Sequence, residues 1–138
     1  MSSPPSKADL ERLSHFRYRL RCYLRTSEDL CQAAGVTLLQ YQLLLHVMGF
    51  PDREWATVGE IAERLQAKHH GVVALLDRCE KLGLVERRQS RTDRRLVEIH
   101  LLPKGRELVG ALAAAHRSEL ERLQQEFMLP GWPQDALH

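Results

Sequence analysis

The stretch "TVGEIAERLQAKHHGVVALLDRCEKLGLVERRQSRTDRRLVEIHL", residues 57–101, changes its hydrophobic period partway along. Thr57 stands three residues before Glu60, a spacing at which each side chain satisfies a free amide at a helix start, and Ile61, Ala62 and Leu65 follow on one face. That helix is expected to stop near Gln66. After a four-residue break, helical spacing resumes with Val72, Leu75, Leu76, Cys79 and Leu82, and Gly83 supplies the stop. The opposite face carries His70, Val73, Ala74, Asp77 and Lys81. Two short helices about a tight turn make a helix-turn-helix. Beyond Leu84 the period falls to two. "LVERR" and "RRLVEIHL" both have strand composition, Val97, Ile99 and Leu101 alternate, and "SRTD" between them is turn-like, so a β-hairpin follows.

A helix-turn-helix followed at once by a hairpin is a winged helix, and its hairpin concentrates charge. Arg87, Arg88, Arg91, Arg94 and Arg95 fall within ten positions. Residues 64–106 hold 11 Lys/Arg against 5 Asp/Glu, a net +6 that leaves −4 for the remainder of a chain whose total is +2. In such a module the second helix lies in the major groove of a duplex, and the wing reaches the flanking backbone and minor groove. Arginines there bind by releasing counterions, and one inside a narrow minor groove also reads shape. The second helix offers Lys68, His69, His70, Gly71, Val73, Ala74 and Arg78. Lys68 and His70 can contact phosphates or guanine edges, whereas Val73 and Ala74 touch only apolar features such as thymine methyls. Gly71, without a Cβ, either admits a close approach to the backbone or simply loosens the first turn. A second reading stays open at this stage: the weakly polar Val73 and Ala74 face docks a partner protein, with no specific DNA readout.

The flanks complete the expected architecture. "SSPPS", residues 2–6, reads as an unstructured lead-in, and residues 8–33 as one long amphipathic helix carrying Leu10, Leu13, Leu20, Leu24 and Cys31, stopped by Gly35. Thr37 and Gln40 form another capping box before Leu43, Leu44, Leu45, Val47 and Met48, with Pro51 as terminator. Pro103 opens a last helix, predicted to reach residue 128, with Leu108, Leu112, Leu120, Leu123 and Phe127 near one face. The fold expected is mainly α with a small β-hairpin wing, in one domain spanning 1–138. A winged helix-turn-helix lobe at 37–101 is flanked by long N- and C-terminal helices at 8–33 and 103–128. Those helices carry more apolar surface than a lobe of ~60 residues can cover, so they are expected to pair with a second copy of the chain. Two recognition helices ~34 Å apart would then read an inverted repeat.

Other classes lack support. No apolar run approaches a membrane span and the first residues lack a secretory signal, so the expected location is the cytoplasm, with no membrane partner. Cys22, Cys31 and Cys79 form no CxxC pair and are expected to be reduced. His69 and His70 are adjacent and point in different directions, poor geometry for one metal ion. No nucleophile with a neighbouring base, Gly-rich phosphate loop or HExxH is present, so neither an enzyme nor a cofactor is expected.

The segment "IAERLQAKHHGVVALLDRCEKLGLVERRQSRTDRRLVEIHLLPKG", residues 61–105, resembles the core of the MarR-type winged helix-turn-helix transcriptional regulators. "AERL", "DR.E..GLVERR", "DRR" and a following Gly occur in the family's order and spacing, and "GVTLLQYQLLL" extends the likeness, which covers roughly residues 8–127. The resemblance implies a homodimer on pseudo-palindromic promoter DNA, usually a repressor, released by a small-molecule effector or an oxidant. Through the matching "TDRR" it assigns Asp93 to holding the wing by an ion pair and Arg95 to entering the minor groove, with Arg91 and Arg94 in support. Arg88 and Arg78 complete the expected contact set. The chain departs from the commoner family pattern at Lys68, Val73 and Ala74, where serine, threonine and arginine are frequent, and at Leu102, where a threonine usually precedes the last helix. In the family, ligands lie between the dimerisation helices and the DNA-binding lobe, and some branches sense oxidants through a first-helix cysteine. Cys22, with Arg19, Arg21 and Arg25 nearby, is the candidate here.

Overall fold

A computed structural model describes residues 3–126. It contains α1 (Lys7–Ala33), α2 (Leu38–Met48), β1 (Trp55–Ala56), α3 (Val58–Leu65), α4 (His69–Lys81), β2 (Val85–Gln89), β3 (Val97–Leu101) and α5 (Pro103–Glu126). The architecture is mainly α with a small antiparallel wing, as expected, although the sheet has three strands in the order β1-β3-β2. The expected end of the last helix at 128, and Phe127, lie outside the described residues.

Local chemistry accounts for most helix boundaries. The hydroxyl of Thr37 accepts from the Gln40 amide at 3.1 Å while the Gln40 side chain accepts from the Thr37 amide at 2.9 Å, and Thr57 and Glu60 repeat the exchange at 3.3 and 2.9 Å. Ser6 and Asp9 form a third such box, so the lead-in ends in an ordered cap and α1 begins one residue earlier than predicted. At the other ends, Gly35 and Gly83 take φ of +83° and +74°. These left-handed turns let the Val36 and Leu84 amides reach back to the Cys31 and Cys79 carbonyls, each at 3.0 Å. Helix α2 stops at Met48, capped by Gly49, before Pro51 is reached.

Strand β1 has no counterpart in the sequence-based expectation because two residues carry no readable period. Its pairing is tertiary: Trp55 opposes His100 and Ala56 opposes Ile99. Arg53 braces it, its guanidinium 3.9 Å from the Trp55 ring and 4.1 Å from the Phe50 ring, with an ion pair to Glu60.

The core lies inside the lobe. Leu43, Leu44 and Val47 of α2, Ile61 of α3, Val72, Leu76 and Cys79 of α4, Val85 and Ile99 of the sheet and Leu112 of α5 are all buried. Leu82 and Val97, expected on inward faces, are instead exposed, since one caps the end of α4 and the other sits at the turn end of the hairpin, away from the core. Helix α1 enters this core through its C-terminal end, at Cys31. Farther along, Leu10 and Leu24 of α1 and Leu120 of α5 face outward, 52%, 38% and 48% exposed. A buried polar pin joins the two helices: Nδ1 of His116 donates to the Leu112 carbonyl at 2.7 Å, and Nε2 meets the Ser27 hydroxyl at 2.7 Å. Tyr41 of α2 stacks on the His116 ring at 5.0 Å, tying the pin to the lobe.

Helix α5 starts without a hydroxyl cap. Pro103 presets the first turn, the Arg106 amide bonds the Leu102 carbonyl at 3.0 Å, and the Leu102 amide bonds the Leu84 carbonyl at 2.9 Å. Gly105 lies flat against Leu84, where a Cβ would fall 2.2 Å from the backbone oxygen. Among the described residues no helix is long and apolar enough to cross a membrane.

Candidate nucleic-acid interface

Helix α4 presents one face to the core and another to solvent, as its periodicity dictates. Val72, Leu75, Leu76 and Cys79 are buried, while Lys68, His69, His70, Gly71, Ala74 and Arg78 are exposed and Val73 is half-buried. Lys68 is the N-cap and makes no side-chain cap bond, since an ammonium can only donate and the helix start offers only N–H donors. Space for a Cβ at Gly71 is open, with nothing among the described residues beyond its own helix turns within 4 Å. The glycine is therefore not demanded by intramolecular packing.

The wing is a hairpin in strict register, with Val85 opposite Leu101, Arg87 opposite Ile99, Arg88 opposite Glu98 and Gln89 opposite Val97. Its tip is organised by Ser90, a buried polar residue that composition alone does not single out. The Ser90 amide donates to the Leu96 carbonyl at 3.1 Å, and its hydroxyl accepts from the Thr92 and Asp93 amides at 3.3 and 3.1 Å. Asp93 then accepts from the Arg95 amide at 3.0 Å and from Arg95 Nε at 3.3 Å. The Gln89 side-chain amide donates to the Arg94 and Leu96 carbonyls at 2.6 and 2.9 Å. The turn backbone is thus held from inside, and Arg91, Arg94 and Arg95 point outward; the Arg95 side chain is 90% exposed. Ser90→Ala removes an acceptor from two amides at a buried position. Wing-tip amides are expected to exchange with solvent about tenfold faster or more, from a local loss of ~1–2 kcal/mol, with the core amides unchanged. Hydrogen exchange of the variant tests this.

The five hairpin arginines are not equivalent. Arg88 pairs with Glu86 on its own strand. Arg87, grouped with the wing cations by sequence, turns toward α4 and pairs with Asp77, at 2.9 Å, and with Glu80. Strand alternation explains the difference, because Arg87 shares a face with the buried Val85, two residues before it.

The cysteines also separate. Burial raises the Cys31 thiol pKa and pushes that of Cys79 up to about 11, so neither is a thiolate near neutral pH. Cys22 is half-buried in a recess of about 150 Å³ shared with Arg19, Thr26, Glu119 and Arg122. A larger pocket of about 390 Å³ opens where the end of α1, the α4 to β2 turn and the start of α5 meet. Val36, Leu82, Leu84, Leu108 and Ala111 line it, along with Lys104 and Glu107.

A three-helix lobe with a basic wing, carried on two long terminal helices, defines a winged helix-turn-helix protein. The model of the MarR family matches residues 34–96. The uncharacterized HTH-type transcriptional regulator YsmB of Bacillus subtilis (strain 168) is 32% identical over 71 residues, 51% of this chain and 49% of YsmB, so the chain spans about half of that relative's length. Among solved structures, AbsC, a MarR family transcriptional regulator from Streptomyces coelicolor, superimposes with a TM-score of 0.77 at 18% identity, covering 99% of this chain and 89% of AbsC. A MepR mutant of S. aureus bound to an oligodeoxyribonucleotide gives 0.65 at 23% identity, over 83% and 81% of the two chains. Residues 34–96 thus resemble the MarR family, and the chain shares the fold of solved MarR family proteins.

Proposed function

We propose that this chain is a double-stranded DNA-binding transcriptional regulator, working as a homodimeric repressor on a pseudo-palindromic operator. The observation that carries the reading is the open face of α4 beside outward-pointing Arg91, Arg94 and Arg95, in a segment of net +6 within a chain otherwise net −4. Lys68, His69, His70, Gly71, Val73, Ala74 and Arg78 enter the major groove, and Arg95 enters the adjacent minor groove from a wing stabilised by Asp93, with Arg88, Arg91 and Arg94 on flanking phosphates. The DNA-bound MepR mutant supports this by likeness of fold.

Dimerisation rests on α1 and α5, whose outward Leu10, Leu24 and Leu120 and an apolar groove of about 310 Å³ at Leu20, Tyr23, Leu120 and Leu123 need a cover. Release by a small effector uses the 390 Å³ pocket, which lies within the size range of ligand sites and touches the α4 to β2 turn. Filling it with Ala111→Trp is expected to abolish the effector's action without blocking DNA binding. If Cys22 senses oxidants instead, Cys22→Ser keeps the protein on DNA under peroxide; release of that variant like the parent removes Cys22 from the mechanism.

The direct test is selection from a duplex pool, followed by affinity measurements across salt concentrations and a mass measurement in solution. An enriched inverted repeat, a two-chain mass and a fall of about 10³-fold between roughly 50 and 200 mM salt are expected. No enrichment together with no salt dependence would leave the protein-docking reading of the Val73 and Ala74 face in its place.

A further inference from the structure

We propose that Arg87 is a positioning residue: its double ion pair across the α4 to β2 turn sets the angle between recognition helix and wing. It thereby sets the spacing of the major-groove and minor-groove contacts. The inference rests on the DNA-binding reading above and adds to it a residue that touches no DNA.

The wing leaves α4 through Leu82, Gly83 and Leu84, a turn with its left-handed residue at Gly83. Arg87 braces that turn from outside. One guanidinium nitrogen donates to Asp77 Oδ1 at 2.9 Å and the other pairs with Glu80. Asp77 and Glu80 are three residues apart and so neighbours on one side of α4, which lets a planar guanidinium engage both at once. The Arg88 to Glu86 pair lies within one strand and joins nothing across the turn. Exposure separates the cations in the same way: the Arg87 side chain is 30% exposed, against 55% for Arg88 and 90% for Arg95.

Two carboxylates at the edge of a polyanion-binding surface repel phosphates, so on neutralising them charge alone predicts tighter binding of every duplex at an unchanged ratio of specific to random binding, whereas positioning predicts that the ratio falls. The test compares the full-length parent, Asp77→Asn/Glu80→Gln and Arg87→Gln. Each is measured on the duplex selected from the pool and on a random duplex of equal length, with hydroxyl-radical and guanine N7 footprints. Asp77 and Glu80 are both at least a third exposed, so the double variant is expected to fold, and its melting curve checks that.

In the double variant, affinity for random duplex is expected to rise while the ratio of specific to random binding falls about tenfold, the size of one base-pair mismatch. Flanking minor-groove protection fades and N7 protection in the major groove persists. Arg87→Gln shows the same fall in ratio. The proposal is overturned if the double variant keeps the parent's ratio and footprint. It is also overturned if Arg87→Gln weakens both duplexes equally, which would make Arg87 a phosphate contact. A parent that binds no duplex removes the DNA-binding reading itself, whereas a binding parent with indifferent variants removes only the brace.

Discussion

The Arg94→Ala/Arg95→Ala variant is expected to bind the selected duplex at least ~10²-fold more weakly than the parent at about 150 mM salt. Its plot of log affinity against log salt should be shallower by roughly 0.9 for each phosphate that is no longer neutralised. Both side chains are exposed, and Arg95 reaches 90%. Their removal leaves the turn itself intact, because Ser90, Gln89 and the Asp93 carboxylate hold it largely through backbone amides and carbonyls. The Arg95 to Asp93 ion pair is too exposed to stabilise the fold appreciably. Weaker binding with an unchanged thermal midpoint therefore assigns the effect to the interface. Equal affinity and slope in parent and variant would take the wing out of the DNA-binding surface.

Gly105→Ala is expected to destabilise the protein by about 2–4 kcal/mol, read as a lower urea midpoint at constant slope. The added Cβ would sit 2.2 Å from the Leu84 carbonyl oxygen and 3.1 Å from its carbon, both backbone atoms that no side-chain rotation can move aside. Helix α5 and the root of β2 must separate, breaking the close approach that lets α5 start without a hydroxyl cap. The gain in helix propensity, ~1 kcal/mol, is smaller than that cost. Gly110 supplies the control on the same helix: beyond its own helix turns a Cβ there meets none of the described residues within 4 Å, so Gly110→Ala is expected to stabilise by up to about 1 kcal/mol. Two substitutions of the same kind in one helix thus differ in sign. A neutral Gly105→Ala would mean that α5 and β2 do not pack closely.

Much of the site was legible because its signals are short-range. Capping boxes relate residues three apart, helical faces repeat every three or four and strand faces every two, so α2, α3, α4, the hairpin and the exposed set from Lys68 to Arg78 followed from counting along the chain. The same counting, applied more strictly, separates Arg87 from its neighbours, since alternation from Val85 places it on the inner face of β2. The identity of its partners was not recoverable that way. Asp77 reads as a solvent-facing residue of α4, and only the packing of β2 against that helix brings its carboxylate to 2.9 Å from Arg87.

What lay in the amino-acid order was therefore the helices and the hairpin, their boundaries to within a few residues and the outward face of α4, all governed by interactions that close within one or two turns of chain. Tertiary packing decided the rest: Trp55 and Ala56 became a strand by finding His100 and Ile99, and Ser27 met His116 across 89 positions. It also decided that a Cβ would collide with the Leu84 backbone at Gly105 and has room at Gly110, although both are glycines in one helix. Contacts between distant segments depend on how whole elements dock, and no local period records that geometry.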